Sequence, residues 1–135
     1  MNKKARIDTY STQYDIDFVV ADSKVTLNDL RELYCYDDDT ELDDTWNDCS
    51  ACTGTVKRKE DGATVLLVHY TKPSNFVSSG DDLLDLIDIC THEATHVAID
   101  IYNIVGAEID TKNQETFAYF VAYIAERIAK TLLNK

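Results

Sequence analysis

The chain has 135 residues, 44% of them hydrophobic, and a formal net charge of −12. That length gives one domain, residues 1–135, able to bury a core without staples, and the apolar content argues against wholesale disorder. The charge opposes binding to nucleic acid or anionic membranes through bulk electrostatics. No run reaches the roughly eighteen apolar residues of a membrane span, because Asp85, Asp88, His92 and Glu93 interrupt the longest candidate. Met1-Asn2-Lys3-Lys4 leads into polar residues rather than an apolar core. The expectation is no secretory signal and, if Met1 is the native start, a protein made and kept in the cytoplasm or packaged from it.

In chain order, residues 14–20 alternate and then turn apolar, which predicts a strand. Thr26, with Asp29 three residues on, predicts a capped short helix over 27–34. Residues 37–48 hold seven acidic side chains and no basic one: Asp37, Asp38, Asp39, Glu41, Asp43, Asp44 and Asp48. They read first as a solvated flexible loop; a calcium site and a docking surface for a basic partner are the alternatives. Cys49-Ser50-Ala51-Cys52 has zinc-ligand spacing, but Cys35 and His69 would have to complete a set, so reduced thiols in a turn are expected. Cys90 reads as a small core residue. Residues 53–59 and 63–70 are β-rich and separated by Glu60-Asp61-Gly62, a hairpin signal, and Lys72-Pro73-Ser74 breaks the second run.

An apolar helix follows, with Ser79 or Asp81 as its cap and Gly106 as its stop. A second helix starts near Asn113, where Thr111 and Gln114 suggest a capping box. The sum is an α+β domain: a small, mostly antiparallel sheet packed on two long C-terminal helices.

The first of those helices carries His92-Glu93-Ala94-Thr95-His96, an H-E-x-x-H pattern. Two imidazoles four residues apart share a helix face and can hold one Zn²⁺, while Glu93 points to the side, placed to take a proton from a zinc-activated water. Two histidines and a glutamate in so apolar a helix would be costly without partners, and a metal provides one. The third ligand must come from elsewhere. Glu115 leads, with eighteen residues, 97–114, between it and His96. Glu108, Asp110 and Glu126 remain open, as does a site with no third protein ligand. At about 1.5 Å per residue, a strictly antiparallel partner would bring residues near Ala122 to Glu126 level with His96.

H-E-x-x-H, an eighteen-residue gap and Glu at the head of a helix resemble the zinc signature of gluzincin metallopeptidases, over roughly residues 83–126. The resemblance implies that His92, His96 and Glu115 bind zinc and that Glu93 is the general base. Tyr102 stands where metzincins carry a third histidine, which sets that branch aside. More loosely, residues 91–123 resemble small zincin-like proteins encoded by bacteriophages.

Further roles follow from position. Tyr119 and Tyr123, one and two turns along from Glu115, are candidate oxyanion donors or an aromatic packing stripe. Asp88 and Asp100 could orient the imidazoles. The strand Val65-Leu66-Leu67-Val68-His69-Tyr70, if it lies at a sheet edge, could bind an extended peptide; a central strand is the competing reading, and His69 reads as structural. The expected function is a zinc-dependent peptidase acting on a peptide or protein. The alternative is a catalytically silent, zinc-stabilised structural or interaction protein, with the phage origin that the looser resemblance implies.

Overall fold

The computed structural model describes residues 5–72 and 80–135. Its strands are β1 (Ile7–Tyr10), β2 (Phe18–Ala21), β3 (Tyr34–Cys35), β4 (Ala51–Arg58) and β5 (Thr64–Tyr70), in one sheet ordered β1-β2-β5-β4-β3. The helices are α1 (Leu27–Leu33), α2 (Gly80–Val105) and α3 (Glu115–Leu133). The domain is α+β, with two helices at its C-terminal end.

The sheet is mixed, which corrects the expectation of a mostly antiparallel one. β1 runs antiparallel to β2 and β4 antiparallel to β5, but the central pair β2–β5 is parallel, Phe18 opposite Leu66 and Ala21 opposite His69. Strands at the middle of such a sheet are covered on both faces and read as unbroken apolar runs rather than alternating ones. Phe18-Val19-Val20-Ala21 and Val65-Leu66-Leu67-Val68 are such runs, each residue at 1% exposure or less. The strand expected over 14–20 therefore begins only at Phe18. Asp15 adopts a positive φ of 58° in the turn before it.

The two faces bury different partners. Phe18, Val20, Leu66, Val68 and Tyr70 pack under α2, through Ala94, Val97, Ala98 and Ile101, and under α3, through Phe120, Ile124 and Ile128. Val19, Val65, Leu67 and Val56 pack against Leu27 and Leu30 of α1 and against Leu42 and Trp46. The acidic segment is thus a packed third layer. Leu42 is fully buried and Trp46 nearly so. Arg31 binds Asp44 at 3.0 Å, and Asp43 caps a short 3-10 turn over Asp44–Asn47. Burying side chains of this size contributes on the order of 1.5–3 kcal/mol each.

The helix ends follow from local chemistry. Thr26 and Asp29 form the reciprocal capping box of α1. Gly106 takes φ 73°, and the Ala107 N–H donates back to the Tyr102 carbonyl at 2.9 Å, closing α2 with a left-handed residue. Of the two caps proposed for α2, Ser79 lies outside the described residues and Asp81 sits inside the first turn, where an acid suits the helix dipole. The box expected at Thr111 and Gln114 does not form: Gln114 precedes α3 without a side-chain cap and donates its amide to the Thr111 carbonyl.

Candidate metal centre

His92 and His96 lie on the outward face of α2, because the 3.6-residue period turns Ala94, Val97, Ala98 and Ile101 to the core. Their rings converge: the two Nε2 atoms are 3.1 Å apart. Two nitrogens each about 2.0–2.1 Å from one tetrahedral zinc ion would stand about 3.3 Å apart, so the pair matches a two-imidazole clamp. Without a metal, one Nε2–H donates to the other.

Glu93 lies on the flank facing the sheet. Its side chain is 6% exposed against 65% for His92, and its Oε1 is 4.0 Å from His92 Nε2. Thr53 on β4 donates its hydroxyl to the other oxygen, Oε2. Thr53 can do this because it pairs directly with Val68, whose side chain faces α2, and cross-strand partners share a face.

Histidines, glutamate and strand line one cavity of about 640 Å³, with Tyr36, Trp46, Cys49, Cys52, Gly54 and Thr55 among its other walls. A second cavity of about 720 Å³ continues past the shared Tyr36 and Thr55 to Asp37, Asp38 and Ile104. Together they form a groove along the outer edge of β4. Among the described residues only Lys57 and Arg58 of that strand pair with β3, so residues 51–56 have no strand partner on that side. Of the two readings of the Leu66 strand, the central one holds: β5 is paired on both sides, and the open edge belongs to β4.

Other sequence candidates fall elsewhere. Glu115 is exposed at the head of α3, and among the described residues no three His, Cys, Asp or Glu side chains converge as a metal-holding group. Tyr119 and Tyr123 line a different cavity, of about 530 Å³, with Ser11, Thr12 and Gln13. Tyr119 is 73% exposed, and Tyr123 donates to the Ser11 carbonyl at 2.8 Å while Arg127 stacks on its ring. Neither faces the histidine pair. Asp100 is the better placed of the two candidate orienting acids. Burial pushes its carboxyl up, and the nearby His96 partly offsets this.

Cys90 is a small core residue as expected, but one cysteine pair departs from expectation. Cys49 and Cys52 are bridged, their Cα atoms 6.1 Å apart in the turn that opens β4, within the usual disulfide range. Cys35 and Cys90 are free and buried. His69 is buried, and its Nε2 lies 2.8 Å from the Val25 carbonyl, in keeping with a structural role.

Sequence reasoning missed Thr53, Trp46 and Gly54. At Gly54 a Cβ would stand 2.9 Å from the Trp46 ring, so the indole lies directly on the strand backbone. A glycine inside a strand pattern is the signal of such an approach.

Compared with known protein families, curated proteins and solved structures, the chain gives no match. No described helix is long and apolar enough to cross a membrane.

Proposed function

We propose that this chain is a zinc-dependent peptidase whose metal is held by His92 and His96. The observation that carries the reading is the convergence of the two imidazoles beside a buried carboxylate, in a groove edged by an unpaired strand. A bound zinc ion would supply Lewis acidity, polarising the scissile carbonyl and lowering the pKa of a water. Glu93 takes the proton from the attacking water and returns it to the leaving amine, with Thr53 fixing the carboxylate's rotamer. An extended peptide adds to the free edge of β4 by main-chain hydrogen bonds, which lays its backbone across the histidine pair. The eighteen-residue spacing nominates Glu115 as the third ligand, but among the described residues it does not converge with the pair.

A second reading has one observation in its favour. Since no three His, Cys, Asp or Glu side chains among the described residues form a metal-holding group, a zinc-stabilised interaction protein without turnover is the alternative.

Elemental analysis of the purified protein tests the metal. We expect one zinc per chain in the wild type and none held stoichiometrically by His96→Ala. A fully loaded His96→Ala protein overturns the assignment.

A further inference from the structure

Cys49–Cys52 is bridged three residues apart, with Cys49 exposed and Cys52 half-buried. Cys52 is the direct antiparallel partner of His69. Partners at such positions have Cβ atoms roughly 4.5–5.5 Å apart on the same face of the sheet. The His69 side chain is buried, and its two nitrogens are in different states. Nε2 faces the Val25 carbonyl, which can only accept, so Nε2 carries the proton and Nδ1 presents a bare lone pair. Burial lowers the His69 pKa, which keeps the ring neutral. Nδ1 is the one buried side-chain polar atom among the described residues without a hydrogen-bond partner. Leaving a buried acceptor unsatisfied is unfavourable, and a bridged sulfur has no proton with which to satisfy it.

We infer that Cys49–Cys52 is a redox-active disulfide, reduced by a dithiol, whose reduced state is favoured by a hydrogen bond from the Cys52 thiol to His69 Nδ1. A thiolate of the incoming dithiol attacks the exposed Cys49 Sγ, forming a mixed disulfide and breaking the Cys49–Cys52 bond. Cys52 leaves as a thiolate, takes a proton from water and donates it in a hydrogen bond to Nδ1. The second thiolate of the reductant then attacks its own partner sulfur in the mixed disulfide and releases Cys49. Two electrons pass to the protein, and the reductant leaves as a disulfide. Both cysteines line the cavity that also holds His92, Glu93 and His96, so the exchange takes place at the wall of the proposed peptide groove. The inference stands independently of the peptidase reading, since neither cysteine nor His69 is assigned to zinc there.

The test is the dithiol–disulfide equilibrium of the full chain, read by alkylation and mass in mixtures of reduced and oxidised dithiothreitol. His69→Gln keeps a donor near the Nε2 position for the Val25 carbonyl and removes the Nδ1 acceptor. It should shift the equilibrium about five- to tenfold toward the disulfide, the fold-change of one neutral hydrogen bond. His69→Asn places an amide oxygen near the Nδ1 position and should stay within about twofold of wild type. Should the His69 variants fold poorly, Cys49→Ser/Cys52→Ser should be more stable than Cys49→Ala/Cys52→Ala, because a serine hydroxyl can donate to Nδ1. Equal equilibria in wild type and His69→Gln, or equal stabilities of the serine and alanine pairs, overturn the inference. The Cys52 thiol would then be donating instead to the Trp46 carbonyl, 3.6 Å from its sulfur.

Discussion

Thr53 on β4 donates its hydroxyl proton to Glu93 on α2, tying the strand edge to the carboxylate of the H-E-x-x-H helix. A hydrogen bond to a charged acceptor in a buried setting contributes on the order of 1.5–3 kcal/mol. Thr53→Val keeps the shape and removes the donor. It should lower the unfolding free energy by about that amount and reduce peptide hydrolysis, while leaving zinc content unchanged because the histidines are untouched. Denaturant melts with metal analysis check both parts.

Gly54→Ala tests the indole lid. The new methyl would meet the Trp46 ring at 2.9 and 3.0 Å, closer than side chains pack, so the indole or the strand must shift. Overpacking of this kind typically costs about 1–3 kcal/mol. The expected outcome is a lowered denaturation midpoint and a changed Trp46 fluorescence, since this is the single tryptophan in the chain.

The hairpin turn supplies an acid-limb prediction. Arg58 binds both oxygens of Asp61, at 3.0 and 2.8 Å, and that guanidinium holds the Asp61 carboxyl down to about 2 from an ordinary 3.8. The folded value lies below the unfolded one, so the stabilisation is present above about pH 4 and is lost as pH falls from there toward about 2. Asp61→Asn should show a shallower loss of stability across that window. Urea midpoints at the two ends of the window measure it.

The third ligand has its own comparison. Glu115→Ala should weaken zinc binding far more than Glu108→Ala or Asp110→Ala, read by competition with a chelating dye. The reverse ranking would move the ligand into the connection between α2 and α3.

Much of the local structure was legible in the sequence. Thr26 and Asp29 announce the cap of α1, Glu60-Asp61-Gly62 the hairpin, and Gly106 the end of α2, because each acts through neighbouring residues. What was hidden depends on long-range partners. Whether Leu66 lies at an edge is decided by β2, where Phe18, far earlier in the chain, pairs with it and claims its open side. The acidic run hid its packing because two apolar residues, Leu42 and Trp46, do the anchoring among seven charges. In the site, His92, Glu93 and His96 were readable from helical spacing alone. Thr53 was not, because its role depends on the register of β4 against β5. Which cavity Tyr119 and Tyr123 line was not legible for a related reason: position along α3 does not say which side of α2 the helix packs on.

Hydrolysis of an unbiased peptide library by the zinc-loaded wild type and by Glu93→Gln is the most direct test of the central claim. Glutamine cannot accept the proton, and losing general-base help typically costs about 10²–10⁴ in rate. The account predicts cleavage by the wild type and a loss of that size in Glu93→Gln, with one zinc per chain in both proteins. Zinc-loaded wild type that cleaves nothing, or a Glu93→Gln protein that cleaves at the wild-type rate, would contradict it.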